Sequence, residues 1–295
     1  MKRAILVVSL MTAGVLSGFG QATTFYYPQI ADGLLSGPPD TIWTTTLFVT
    51  NPAAIGTSTA SVTVELTKSN GTALNLVFRD ENGATLPSGN FISFQISGGQ
   101  TRRFVSSGGA SYQAGFATVT SNVAVTGTAV FSKLSANRDL LSEAGVPAAT
   151  AYTRQAIIVD TTGGFDTGFA YANPSTSTAT LSFQLLNTLG VVVRSTANCG
   201  AVCTLAGRNH NALFVSQIPW ASAAPQMVGS MQITSQVAMP TVALRFSSLG
   251  VFTTLPPVGL ASIFRPALEW LQDRPWGSPF AAIASLISHF QARIG

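Results

Sequence analysis

"TLFVTNPAAIGTSTASVTVELTKSNG" (46–71) decides the fold, because the chain writes it a second time as "GFAYANPSTSTATLSFQLLNTLG" (168–190). Each version runs into an Asn-Pro step, Asn51-Pro52 and Asn173-Pro174. Further along, "AGFATVTSNVAVTGTAVFS" (114–132) returns as "VGSMQITSQVAMPTVALRFS" (228–247), anchored on Gly115 and Gly229. The repeat distance is a domain length, longer than the period of a solenoid. Two related domains are therefore expected.

Within the repeated stretches the apolar residues alternate. Val62, Val64 and Leu66 are separated by Thr63 and Glu65; Leu181, Phe183 and Leu185 are separated by Ser182 and Gln184. A period of two places each set on one face of a strand, the pattern of antiparallel sheets with one dry and one wet face. Turn signals recur at short intervals: Asn70-Gly71, Glu81-Asn82-Gly83, Gly98-Gly99 and Gly163-Gly164. The fold class expected is all-β: two tandem Ig-like antiparallel β-sandwich domains with a C-terminal α-helical hairpin. The Asn side chains before Pro52 and Pro174 suit Asx-turns that stop their strands. An extra hairpin is expected near 72–86 in the first copy.

The boundaries follow. Residues 1–22 read as a secretory signal peptide, with basic Lys2-Arg3, an apolar run over 4–19 and small residues before a cut after Ala22. The first sandwich is placed at 23–134. A linker at 135–153 carries a short helical turn near Leu140–Ala144, and the second sandwich spans 154–257. Over 258–295, Leu260, Ile263, Phe264, Ala267, Leu268 and Leu271 recur at helical spacing. After Ser278-Pro279, Phe280, Ile283, Ile287 and Phe290 do the same. Neither stripe is long enough to span a membrane; the tail could dock on the second sandwich or self-associate.

Composition narrows the function. Charged residues make up 9% of the chain, with 15 Lys+Arg against 11 Asp+Glu. Without Lys2 and Arg3 that becomes 13 against 11, and no basic run exists to hold nucleic acid. Thr, Ser, Ala, Val and Gly replace the charges, a composition suited to a secreted or periplasmic protein. Cys199 and Cys203 are expected to pair as a local disulfide there. A fully extended segment would hold their Cα atoms roughly 13 Å apart, against the roughly 4.4–6.8 Å a bridge needs, so the segment must turn at Gly200. A zinc half-site and a redox pair are the rival readings.

Chemistry is sparse. His210 and His289 are the two histidines, and both suit solvated polar roles; no hydrolase, phosphate-loop or zinc-peptidase motif accompanies them. Asp32, Asp40, Asp160 and Asp166 lie in or beside the Gly-containing loops before the Asn-Pro strands. They are weak candidates for calcium and suit Asx capping better. Tyr26, Tyr27, Trp43, Tyr171 and Trp220 are weak candidates for sugar stacking. No cofactor, no resident metal and no catalytic residue is implied.

The combined wording, "YPQIADG…WTTTLFVTNP", then "EAGVPA", "GFDTGFAYANPS…ATLSFQL" and "ALRFSSLGVFTTLPP", resembles a type of secreted bacterial tandem β-sandwich protein. The resemblance covers roughly residues 25–257 and implies paired sandwich modules at the cell exterior, with no catalytic residues to transfer; the tail departs from it. The expectation is an exported, non-enzymatic structural or interaction protein of the envelope or extracellular space, with an adhesion-like role. Its partner would be a protein or surface polymer. A carbohydrate-binding module is the alternative; a hydrolase with an unrecognised site is the third.

Overall fold

The computed structural model describes residues 22–261 except residue 110. It is all-β and antiparallel. The first copy supplies β1 (Ala22–Leu35), β2 (Thr41–Thr50), β3 (Thr59–Lys68), β4 (Phe78–Arg79), β5 (Phe91–Ser97), β6 (Thr101–Ser106), β7 (Gln113–Ser135) and β8 (Leu140–Pro147). The second supplies β9 (Tyr152–Asp160), β10 (Asp166–Ala172), β11 (Ala179–Asn187), β12 (Val192–Thr196), β13 (Thr204–Leu205), β14 (His210–Phe214), β15 (Val228–Met239), β16 (Thr241–Phe246), β17 (Phe252–Leu255) and β18 (Val258–Gly259).

The duplication in the sequence is a duplication of topology. In the first half one layer is ordered β5–β3–β7–β1 and the facing layer β6–β2–β7–β8. In the second half the corresponding layers are β12–β11–β15–β9 and β14–β10–β16–β17. The 23-residue β7 serves both layers of its half. As far as Val125 it pairs with β1 and β3, and from Thr126 onward with β2 and β8. Pro240 divides the equivalent strand into β15 and β16, because proline has no N–H to give to a ladder. Registers match as well. Leu47 faces Ala129 and Phe169 faces Ala243, each four residues before its Asn.

The alternating residues lie where their period puts them. Val62, Val64 and Leu66 are buried in the first core; Leu181, Phe183 and Leu185 in the second. The extra hairpin of the first copy is present, closed by Asp80 N–H to Ala84 O and Leu86 N–H to Phe78 O. The helical turn expected at Leu140–Ala144 is not. That stretch is β8, paired with β7, and its buried residues Ser142, Ala144 and Val146 alternate along it. The segment 135–153 therefore contributes a strand to the first half. The helical hairpin expected over 258–295 lies, beyond Ala261, outside the described residues, as do residues 1–21 of the expected signal peptide.

Asn51 and Asn173 do more than stop their strands. Each is fully buried. The side-chain oxygens accept from Ala53 N and Ser175 N, both at 3.1 Å, closing the expected Asx-turns. The side-chain amides reach the other way. Asn51 Nδ2 donates to Ile96 O at 3.1 Å, and Asn173 Nδ2 to Ser177 O and Leu205 O at 2.7 and 3.1 Å. Each Asn thus ties the end of one layer to a strand of the facing one. Replacing Asn173 by Ala strands several buried polar groups. A loss of about 2–4 kcal/mol is expected, read as a shift in the urea midpoint, with a similar loss for Asn51→Ala.

The described strands as far as Val258 belong to one compact unit. The second half does not keep a wet outer face on β10 and β16. From Thr167 to Ala172 every residue of β10 is buried. Phe169 and Tyr171 point into the second core, while Ala170 and Val242 join the first. Phe252 of β17 stacks on Trp43 of β2 with ring centroids 5.6 Å apart, and its N–H is held by Ser142 Oγ at 3.0 Å.

Candidate functional site

The docking of the halves depends on three positions that differ between the copies. Thr45 and Thr167 each lie six residues before their Asn-Pro, and both are fully buried. The Thr45 hydroxyl donates to Ala31 O and accepts from Ala31 N; Thr167 does the same with Asp160. Ala31 and Asp160 are therefore equivalent. So are Phe131 and Arg245, which pair with those threonines across the sheet. So too are Trp43 and Phe165, eight residues before each Asn-Pro.

In the first half Ala31, Phe131 and Trp43 make an apolar mouth onto which β10, β16 and β17 pack. A cavity of about 620 Å³ is left between the halves there. In the second half the same three positions are closed on themselves. Arg245 pairs with Asp160 at 2.7 Å, and its guanidinium carbon lies 3.3 Å from the centre of the Phe165 ring. Burial pushes the Asp160 carboxyl upward. Hydrogen bonds from Thr162 and the Arg245 charge outweigh it and hold the group below its ordinary value.

A polar node sits beside the mouth. His210 is buried, not solvated as its sequence setting suggests. Its Nδ1 lies 3.0 Å from Ser69 Oγ, and its Nε2 lies 2.7 Å from Gln29 Oε1. An amide oxygen only accepts, so Nε2 carries the proton and Nδ1 faces the serine as acceptor. The His210 N–H also bonds Ser69 O. Next to it, Arg208 pairs with Glu65 across the halves. Arg208 has φ +62°, at the position where the first half has Gly99 with φ +79°. An arginine there accepts a backbone conformation costly for a side chain, and its guanidinium gains the partner in the other half.

Ser69, His210 and Gln29 have the outline of a nucleophile–base–orienter trio but not its chemistry. Burial pushes the His210 imidazole down to about 3, and the third member is a neutral amide where a triad has a carboxylate. The trio can hold two surfaces together.

The other residues singled out in the sequence are placed as follows. Cys199 and Cys203 form a disulfide, with Cα atoms 5.0 Å apart across a turn in which Gly200 has φ +57°. Asp32 is buried and accepts from Gly108 N and Gly109 N at 2.8 and 3.0 Å. Asp40 accepts from Gly37 N, and Asp166 from Thr167 N and Ser216 Oγ. All four aspartates are thus engaged by protein donors, and among the described residues no three His, Cys, Asp or Glu side chains gather as a metal site. The aromatics do not form a platform. Tyr27 and Tyr171 are fully buried core residues, and Tyr171 bonds Val202 O through its hydroxyl. Trp43 lies on Phe252, Trp220 is tied to Val215 O through Nε1, and Tyr26 is half-buried.

Two surfaces remain. The outer face of the β5–β3–β7–β1 layer carries a row of hydroxyls, Thr24, Thr120, Thr63 and Ser93, directly opposite one another across the strands. It ends at β5, whose outer edge pairs with no other strand among the described residues. The second surface is a cleft of about 700 Å³ on the outer face of the β6–β2–β7–β8 layer. Residues 146–150, Tyr152 and the Pro256-Pro257 step close its sides. The sequence reading missed it, because its walls come from segments far apart in the chain and its threonines look like any other.

Compared with protein-family models, curated proteins and solved structures, the chain finds no match.

Proposed function

We propose that the chain is an exported, non-enzymatic interaction protein of the envelope or extracellular space, built of two Ig-like sandwiches and binding a protein or a surface polymer. The observation that carries this reading is the neutral hydroxyl row on the first half, bordered by the open edge of β5. In the adjacent row Glu65 is the acid, and Arg208 neutralises it. Such a face can be wetted without charge and can take a partner by hydrogen bonding or strand addition. Export fits the leader-like first 22 residues and the Cys199–Cys203 bridge, which persists in an oxidising compartment. A binding role fits the state of the His210 node, whose neutral buried imidazole is suited to structure.

The test is retention of the chain beginning at Thr23 on washed envelope preparations. Retention is expected to change little between about 0.05 and 1 M salt, because few charges are available to be screened. Ser93→Lys with Gln95→Lys on β5 should lower it about tenfold through the unfavourable burial of charge. No retention at any salt concentration, or retention lost at high salt, contradicts the proposal.

A further inference from the structure

We infer that the cleft on the β6–β2–β7–β8 layer is a binding site for a neutral saccharide chain. The inference rests on the reading of the protein as a binding module and names the ligand class. Among the described residues, the hydroxyls of Thr126, Thr128, Thr150 and Thr241 take no protein partner, although all four residues line the cleft. Thr241 is 1% exposed, and its Oγ1 is a buried polar atom left without a hydrogen bond. Folded proteins seldom leave such a group unpaired without a ligand, a water or a function to account for it.

The rest of the lining supplies the other half of sugar recognition. Tyr152 is 41% exposed and Phe48 lies on the floor, opposite Thr128, which in turn faces Pro147. Aromatic and proline rings offer flat apolar surfaces to the C–H faces of a pyranose, and Thr126, Thr128 and Thr150 offer donors and acceptors to its hydroxyls. Among the described residues no charged side chain lines the cleft, so an ionised ligand would lose its hydration with no compensating charge.

An extended peptide fits less well. The backbone along the cleft wall is already engaged: Ala148 N bonds Gly127 O, and Ala149 exchanges both its bonds with Tyr26. Strand addition needs free N–H and C=O groups in a row, and this wall does not offer them. The volume of about 700 Å³ lies within the ordinary range of small-molecule binding sites.

The experiment is calorimetric titration of the folded chain with neutral hexasaccharides of different linkage: β-1,4-glucan, β-1,3-glucan and α-1,6-glucan. At least one is expected to bind one site per chain, with a Kd of about 10 µM to 1 mM. Tyr152→Ala should weaken it about tenfold or more. Thr126→Val and Thr128→Val, each nearly the same shape, should each weaken it about three- to tenfold. Leu189→Ser, on an exposed turn of the second half, should leave it unchanged, and circular dichroism should report all four variants folded.

Three results overturn the inference: no hexasaccharide binds, binding ignores Tyr152 and the threonines, or a proline-rich peptide binds at Tyr152 where no sugar does. If the sugars fail while envelope retention persists, the cleft assignment falls and the binding module stands. If retention fails and a sugar binds at Tyr152, the cleft stands and the hydroxyl face on β5 falls.

Discussion

Acidification from pH 6.5 towards pH 3 should cost the protein about 4–5 kcal/mol through one residue, His210. The unfolded chain has an ordinary imidazole near pH 6.5, and burial pushes the folded one down to about 3. Between those values the unfolded state binds the extra proton. Stability is therefore fully present above pH 6.5 and is lost progressively as pH falls through that window. The full effect is roughly 4–5 kcal/mol, at about 1.4 kcal/mol for each pH unit, large against the usual 5–15 kcal/mol of a folded domain. Protonation also puts a second donor where Nδ1 now accepts from Ser69, at the contact between the halves. His210→Gln should flatten the pH 3–6.5 part of the profile while lowering stability at pH 7. Asp160 adds to the loss at the acid end of that range. Its depressed carboxyl withdraws stability below its ordinary value of 3.8. Urea midpoints of both chains from pH 3 to pH 8 distinguish the two; an unchanged slope in the variant would assign the effect elsewhere.

Adding a single methyl group at Gly115 or Gly229 should be as damaging. A Cβ on Gly115 would lie 1.9 Å from Thr67 O, and one on Gly229 would lie 2.0 Å from Leu186 O. Both carbonyls belong to the strand paired alongside, β3 or β11, so neither can move without opening a ladder. For Gly115→Ala and Gly229→Ala we expect losses of at least about 3–4 kcal/mol each. That corresponds to a fall of roughly 6–16 °C in Tm for a domain of this size. The two effects should be similar although the residues sit in different halves. Gly163 is the control. It has φ +58° and open space at its Cβ position, so Gly163→Ala carries only the conformational cost of about 1 kcal/mol.

These two glycines also show how much could be read directly. They were visible as anchors of the repeat, yet the reason for them was not: a close approach between backbones has no signature in one strand alone. The alternation at 62–66 and 181–185 transmitted its geometry faithfully, because each strand has one buried face. It failed at β8, where the inward residues are Ser142, Ala144 and Val146. Two of those three are small, so the buried stripe resembled a linker. It failed at β10 for the opposite reason. "GFAYA" is apolar throughout since both its faces are covered, and periodicity cannot tell which neighbour covers the second.

The site was less legible than the fold. Tyr27 and Tyr171, named as weak candidates for sugar stacking, fill the two cores. His210 gave no hint of burial, since its partners Ser69 and Gln29 come from the other half of the chain. The cleft threonines were hidden by abundance. What distinguishes Thr128 from Thr50 is that the Thr50 hydroxyl bonds that of Thr101 across the sheet, while the Thr128 hydroxyl has no partner among the described residues.

The seal at Asp160, Arg245 and Phe165 gives the tandem a direction. Two copies joined in the reverse order would press a charged plug against the apolar underside of their neighbour and leave the Ala31, Phe131 and Trp43 opening uncovered in water. A third copy appended after the second would find no seat of that kind. The two halves share one topology but are no longer interchangeable.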